Sequence, residues 1–283
     1  MLRHTFLHVP GIGYATEYKL WAQGFLTWQD YFNNSTHCLV PSAIRENLGE
    51  HLLQSVEALA TRHAHHFEML LPLSELWRLY PEFSEKVAFL DIETTGLYHG
   101  ADTITIIGLF DGHETKVFIR GINLEEFAQE IKKYVIIITF NGKRFDIPFI
   151  LGAFGELPNF QAHIDLLYPL RKLGYRGGLK SIEAQMGIER EGALKEANGF
   201  LAVLLWHEHQ RGNKTALDTL VRYNLEDVVN LQYLADIAYN ESVAKLPIKV
   251  GSLDVHEKFI VDTPFDPDLI HYLRQGIDAT IPY

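Results

Sequence analysis

The stretch KVAFLDIETTGL, residues 86–97, joins an apolar run to two closely spaced acids. Aromatic and β-branched residues favour a β-strand, and Thr94-Thr95-Gly96 is typical of a strand end. Because side chains alternate between the two faces of a strand, Asp91 and Glu93 are expected to share one face. Carboxylates at that distance repel each other, and burying them without a partner costs free energy. The pair therefore predicts a binding site for a cation.

The segments around this strand predict a mixed α/β sheet flanked by helices. Apolar and β-branched runs predict further strands at 103–110, 115–120, 135–140 and near 163–167, and a capping pattern predicts a helix from 123 to 134. The Asp111-Gly112 turn favours an antiparallel hairpin, whereas the run VIIITF is typical of a strand that is buried on both faces. Beyond the last strand, the chain is predicted to be helical to about residue 240.

The distribution of apolar residues and prolines along the sequence predicts that the chain has three parts. Residues 1–85 form a mainly helical N-terminal region, in which apolar residues recur at helical spacing: Ile44, Leu48, Leu52, Val56 and Leu59. Residues 86–240 form the α/β domain, and residues 241–283 form a tail with prolines and little periodicity. The segment HVPGIGYATEYKLWAQGFLTW (8–28) resembles half of a helix-hairpin-helix. The alternative is a tight turn before a helix, with Trp21 and Trp28 in the core.

Composition narrows the class of protein. The chain has 283 residues, 47% of them apolar, one cysteine and a formal net charge of −11. One cysteine excludes an internal disulfide framework, and no apolar run reaches the roughly 18 residues of a membrane span, so we expect a cytoplasmic protein without a membrane partner. The negative charge argues against nonspecific coating of nucleic acid. Residues 143–180, however, include six basic and three acidic residues, and this local excess of positive charge permits a phosphate-binding surface.

Two further acids are expected to lie close to Asp91 and Glu93. Asp146, in FNGKRFDIPF (140–149), follows a predicted strand by a short turn, which places it at the strand's carboxyl end, where α/β sheets usually bind ligands. Asp227, in YNLEDVVNL (223–231), lies four residues after Tyr223 in a predicted helix, so that both side chains share one helix face.

The segments FLDIETTGL, FNGKRFDIPF and YNLEDVVNL resemble, in this order, the three exonuclease motifs of the DnaQ-like branch of the ribonuclease H-like superfamily. The second and third look most like those of family B DNA polymerase proofreading domains and bacterial YprB-type proteins. The resemblance covers roughly residues 86–240. Members of this branch have one of two residues in the third motif. It is either a Tyr separated from the last Asp by three residues, or a His separated from that Asp by four residues. Tyr223 fits the first pattern and Arg222 occupies the second position, so the chain resembles the tyrosine (DEDDy) type.

The resemblance implies an RNase H-like fold and a metal-dependent 3′→5′ exonuclease that acts on single-stranded DNA or RNA ends. Carried over position by position, the ligands of two Mg²⁺ or Mn²⁺ ions would be four carboxylates: Asp91, Glu93, Asp146 and Asp227. Asp91 would contact both ions. Glu93 and Asp227 would hold the ion that activates water, and Asp146 would serve the ion that faces the leaving 3′ oxygen. Tyr223 would orient the attacking water, because a tyrosine with an ordinary pKa near ~10 stays protonated.

Four further residues are candidates for substrate binding. Phe145 could stack on a terminal base, and Asn141 could donate a hydrogen bond near the scissile phosphate. Arg176 and Lys180 lie in the basic, glycine-rich segment RKLGYRGGLK (171–180), which could follow a phosphate backbone. For Phe145 the alternative is a core aromatic, and for the basic residues it is a solvated loop.

Two other functions remain open at the level of sequence. A structure-specific endonuclease would use the same metal site, and a nucleic-acid-binding module could keep the fold without catalysis. The intact acids argue against the second alternative. Nothing in the sequence distinguishes DNA from RNA, because no residue is diagnostic of 2′-hydroxyl recognition.

Overall fold

The computed structural model describes residues 1–98, 100–190, 192–196 and 199–280. The N-terminal region is helical, with 3-10 helices at Leu2–His4, Ser35–His37, Leu73–Leu79 and Ser84–Lys86. Its α-helices are α1 (Tyr14–Ala22), α2 (Trp28–Asn34), α3 (Ser42–Ala60), α4 (His65–Leu70) and α5 (Tyr80–Phe83). Trp21 and Trp28 are buried in a core that continues into the sheet. Of the apolar residues with helical spacing in α3, Leu48 and Leu52 are fully buried, whereas Val56 is exposed.

A five-stranded mixed sheet forms the centre of the α/β part. Its strands are β1 (Val87–Thr94), β2 (Ile104–Phe110), β3 (Thr115–Ile119), β4 (Ile136–Thr139) and β5 (Ala162–Asp165), in the order β3-β2-β1-β4-β5. Strands β1, β2 and β3 pair antiparallel, and β4 and β5 extend the sheet in parallel from β1. The predicted mixed α/β sheet is therefore confirmed, and each predicted strand is observed.

Helices connect and cover the strands. The helix predicted over 123–134 is observed as α6 (Phe127–Glu130) between two 3-10 helices, Leu124–Glu126 and Ile131–Lys133. Both helix types bury apolar residues spaced by three or four, so the sequence pattern did not distinguish them. The remaining helices are α7 (Asp146–Phe154), α8 (Leu167–Leu173), α9 (Leu179–Gln185), a 3-10 helix (Gly192–Glu196), α10 (Gly199–Gln210), α11 (Lys214–Ala244) and α12 (Pro267–Thr280). No helix in the described ranges has both the length and the apolar character needed to cross a membrane.

Side chains alternate along β1 as its sequence predicts. Phe89 packs into the core shared with the N-terminal region and α11, whereas Leu90 and Ile92 pack on the opposite face against α6 and α7. Asp91 and Glu93 follow Phe89 on its face, beyond the end of the apolar packing. The same alternation that buries Leu90 and Ile92 thus directs both acids toward α11.

The tail runs along α11 without regular secondary structure before it forms α12. Asn240 and Leu253 exchange two hydrogen bonds, of 2.9 and 2.7 Å, and the Arg222 side chain donates to the carbonyl of Thr263 at 2.8 Å. These contacts hold residues 246–266 antiparallel to α11. The tail predicted from the sequence therefore ends in a helix, and its last three residues, 281–283, lie outside the described residues.

Candidate active site

Three carboxylates from two elements converge at the end of β1. Asp91 and Glu93 project from β1, and Asp227 projects from the middle of α11, which packs against that strand. Each offers one oxygen, and these oxygens all lie within 4.8 Å of one another. Within the part of the chain that the structure describes, no other set of three His, Cys, Asp or Glu side chains is grouped in this way.

Asp146 lines the same cavity. It is the first residue of α7, it is buried, and the backbone N–H of Ile92 donates to its Oδ1 at 3.2 Å. The cavity has a volume of about 260 Å³, and all four acids and Tyr223 are among its lining residues. A larger cavity of about 760 Å³, between α10 and α12, is lined by none of the acids. The structure therefore brings together the four carboxylates that the sequence selected.

A buried carboxylate that the sequence reasoning missed fixes the turn before Asp146. Asp165, at the end of β5, accepts hydrogen bonds from the backbone N–H groups of Asn141 (2.7 Å), Lys143 (3.1 Å) and Leu167 (3.0 Å). Asn141 has a positive φ of 62°, which few residues other than glycine and asparagine adopt readily. Asp165 thus sets the direction in which α7 begins, and with it the position of Asp146.

Asn224 connects α11 to Asp91. Its Nδ2 donates to Oδ2 of Asp91 at 2.9 Å. Gly108 lies opposite Asp91 in the pairing of β1 with β2. A Cβ at Gly108 would lie 2.0 Å from Oδ1 of Asn224 and 2.9 Å from Cγ2 of Val228. Glycine at this position therefore allows α11 to approach the sheet closely enough for Asn224 to reach Asp91.

Substituting Gly108→Ala should destabilise the protein by about 1–3 kcal/mol, because the added methyl group forces the backbone or α11 to move. Urea denaturation followed by circular dichroism measures this change. Gly251→Ala is a matched control, since a Cβ there meets nothing within 4 Å. Equal stability of the two variants would contradict the close approach of α11 to the sheet.

Three carboxylates of the site, Asp91, Glu93 and Asp146, have raised pKa values. Burial, followed by repulsion from Asp146, Asp227 and Glu93, raises the pKa of Asp91 well above its usual value. Burial and repulsion from Asp227 and Asp146 likewise raise the pKa of Glu93. Burial raises the pKa of Asp146 to about 7. A divalent cation would offset much of the repulsion among these acids, because its charge favours the ionised form of each acid.

Tyr223 and Lys180 lie next to the acids. Tyr223 is 5% exposed, and burial followed by repulsion from Asp227 raises the pKa of its phenol well above its usual range. The Lys180 ammonium lies 4.6 Å from the centre of the Tyr223 ring, and burial lowers its pKa to about 8. The Tyr223 hydroxyl therefore stays protonated at neutral pH and can donate a hydrogen bond.

A buried arginine contacts Asp227. The Nη1 atom of Arg190 donates to Oδ1 of Asp227, while the rest of the guanidinium group binds Glu183. Neither Arg190 nor Glu183 was predicted from the sequence. No local signal marks them, because an isolated Arg after a helix is ordinary in sequence.

The candidate substrate-binding residues divide into two groups. Asn141 and Phe145 line the cavity beside Asp146, and Lys180 lies beside Tyr223. Phe145 also packs against Phe149, with ring centres 5.0 Å apart, so it contributes to the core as well. Arg176 does not line the cavity; its Nη1 donates to the carbonyls of Arg171 and Tyr175 in its own segment. The structure thus places Asn141 and Phe145 in the cavity lining and Lys180 against the Tyr223 ring, whereas Arg176 binds its own segment.

The donor set fits hard divalent cations. Carboxylate oxygens are the ligands that Mg²⁺ and Mn²⁺ prefer, and the close group of Asp91, Glu93 and Asp227 supplies three of them. Asp146 adds a fourth carboxylate from across the cavity. The absence of cysteine and histidine from the group disfavours a structural zinc site.

Comparison with known proteins assigns the family. Residues 88–239 match the family model RNase_H_2, described as RNase_H superfamily, and the chain therefore belongs to the RNase H superfamily. No curated protein matches the chain significantly by sequence. One similar solved structure is the family B DNA polymerase from the hyperthermophilic archaeon Pyrobaculum calidifontis, with 17% identity and a TM-score of 0.41. That match covers 56% of this chain and 24% of the polymerase. Membership of this superfamily supports a nuclease function in general, with nucleic acid as the substrate.

Proposed function

We propose that the protein is a metal-dependent 3′→5′ exonuclease of the DEDDy type, which hydrolyses phosphodiester bonds at single-stranded DNA or RNA ends. The observation that carries this proposal is the convergence of Asp91, Glu93 and Asp227 within 4.8 Å, with Asp146 lining the same cavity. Glu93, Asp146 and Asp227 are buried and Asp91 is half-buried, so the ionised group costs folding free energy unless cations offset its charge. Two Mg²⁺ or Mn²⁺ ions would do so.

The acids of the site would hold the ions, with Asp91 shared between the two. Bound metal would supply a water of lowered pKa and would offset charge on the phosphate and the leaving oxygen. Asn224 keeps Asp91 in place through the 2.9 Å hydrogen bond to its Oδ2. Because Tyr223 keeps its proton, its hydroxyl would orient the attacking water and would not remove a proton from it.

Tyr223→Phe should lower kcat by roughly 10–100-fold with little change in KM, because an orienting hydrogen bond matters most in the transition state. Single-turnover hydrolysis of a labelled oligonucleotide measures the rate. Tyr233→Phe, on the same helix but away from the cavity lining, is the control. Complete loss of activity in Tyr223→Phe would instead indicate a proton-transferring role.

The cavity favours a strand end over a duplex. Its volume of about 260 Å³ is small beside common ligand pockets, which suits one terminal nucleotide. Phe145 offers an aromatic face at the cavity wall, where a base could stack without sequence preference. Lys180 lies 4.6 Å from the centre of the Tyr223 ring, and its ammonium group could pair with a phosphate oxygen of the bound strand.

Matched DNA and RNA oligonucleotides with 5′ labels, and with free or blocked 3′ ends, test the proposal. We expect a ladder of products shortened by single nucleotides with Mg²⁺ or Mn²⁺, no products in EDTA, and protection by a blocked 3′ end. Cleavage of a circular single strand would replace the exonuclease with an endonuclease. Tight binding without cleavage under either metal would indicate a non-catalytic binding module.

A further inference from the structure

Arg190 places a permanent positive charge on one of the proposed metal ligands. Its Nη1 donates to Oδ1 of Asp227, and its Nε and Nη2 donate to the two oxygens of Glu183, each at 2.7 Å. All three side chains are buried. An arginine side chain does not lose its proton in proteins, so this charge is present at every working pH.

The guanidinium group is fixed in place from its far side. Glu183 binds it with both oxygens and also accepts a hydrogen bond from Nδ2 of Asn230 at 2.9 Å. Asn230 lies on α11, the helix that carries Asp227, so the network closes on the helix itself. Arg190 cannot swing away from Asp227 without leaving Glu183 as an unpaired buried charge, which is costly.

We propose that Arg190 weakens the binding of divalent metal ions at Asp227, because its positive charge already pairs with this carboxylate. This inference rests on the proposed function. A metal ion and the guanidinium group share one carboxylate and repel each other in a site of low dielectric constant. Arg190 also stabilises the metal-free protein, because it offsets part of the repulsion among the acids.

An opposite effect has to be weighed. Partners that orient a metal ligand commonly increase metal affinity by 10–100-fold, so removal of Arg190 could weaken binding. Asp227, however, is 6% exposed and is carried by the middle of a 31-residue helix, so its orientation has support besides Arg190. The orientation of Asp227 can thus be kept by α11 when Arg190 is removed, whereas the repulsion between Arg190 and a metal ion is lost completely. Electrostatic repulsion is therefore the larger effect.

Calorimetric titration of the metal-free protein with Mn²⁺, without nucleic acid, tests this inference. Arg190→Gln should bind Mn²⁺ at least tenfold more tightly than the wild type, and Arg190→Lys, which keeps the charge, should stay within about threefold. Arg78→Gln is the matched control, because Arg78 is equally buried and pairs with Glu17 and Glu75 away from the site. Its Mn²⁺ affinity should equal that of the wild type.

Unchanged or weaker Mn²⁺ binding by Arg190→Gln would overturn the inference. If Arg190→Gln does not fold, as judged by circular dichroism, the double variant Arg190→Gln/Glu183→Gln removes both members of the pair and should still bind Mn²⁺ more tightly. A wild type that binds no Mn²⁺ and degrades no oligonucleotide would reject the proposed function and this inference with it. A wild type that cleaves, with no change in affinity in either variant, would reject the inference alone.

Discussion

Replacing Asp91 by asparagine will reduce phosphodiester hydrolysis by roughly a thousandfold or more, because the variant loses the one carboxylate expected to contact both ions. The same substitution should stabilise the metal-free protein, since Asp91 is the acid repelled by all three of the others. Asparagine can keep the hydrogen bond from Nδ2 of Asn224. Initial rates with Mn²⁺ and thermal unfolding in EDTA measure the two effects on one preparation.

The opposite signs of these two effects separate catalysis from folding. Asp218→Asn, at an exposed position of α11, is the matched control and should change neither quantity. A folded Asp91→Asn variant with full activity would exclude the proposed metal mechanism. A variant that is both inactive and less stable would show that Asp91 has a structural role and that its repulsion from the other acids is compensated.

The stability of the metal-free protein should decrease as the pH rises from about 4 to about 7, relative to an Asp146→Asn variant. Burial raises the pKa of Asp146 from 3.8 to about 7, so the folded state binds the proton more tightly than the unfolded state. The stabilisation is complete below the unfolded pKa and is lost as the pH passes through the folded pKa. The difference between the two proteins should reach a few kcal/mol across this range. Urea denaturation in EDTA at a series of pH values measures it.

Comparison with the variant is required because buried histidines act in the opposite direction. Burial lowers the pKa of His8 and of His163 to about 3, so both favour the folded state increasingly as the pH rises toward 6.5. Their contribution is common to both proteins and cancels in the difference. Mg²⁺ at a hundred times its dissociation constant should restore about 2.7 kcal/mol to the wild type per site. A difference that does not change with pH would contradict the burial of an ionisable Asp146.

The sequence predicted the parts of the site that depend on local pattern. Strand alternation placed Asp91 and Glu93 on one face, and helical spacing placed Tyr223 and Asp227 on another, so two pairs were fixed before any tertiary contact was known. The position of Asp146 after a strand placed it at the carboxyl end of the sheet, and the resemblance to the exonuclease motifs then assigned all four acids to one site. Each of these residues lies in an element whose periodicity is visible in a short window.

The residues that the sequence did not reveal are those defined by distant packing. Gly108 is required only because α11 crosses β2 at that point, and Asn224 reaches Asp91 over 133 positions in the sequence. Arg190 lies 37 positions from Asp227 in the sequence. The helix before Arg190 has no sequence pattern that indicates a contact with the site. Arg176, selected for its charge, binds carbonyl groups of its own segment. Charge and spacing indicate which groups can bind a ligand, but only the packing of α11 determines which of them do.

The separation of the acids along the chain has a consequence for protein synthesis. Asp91, Glu93 and Asp146 emerge from the ribosome well before Asp227, and α11 must dock against β1 before the last ligand is in place. Under the proposed function, a nascent chain would carry an incomplete metal site while it remains next to messenger and ribosomal RNA. Cleavage by this protein would begin only after translation has passed the helix that supplies Asp227.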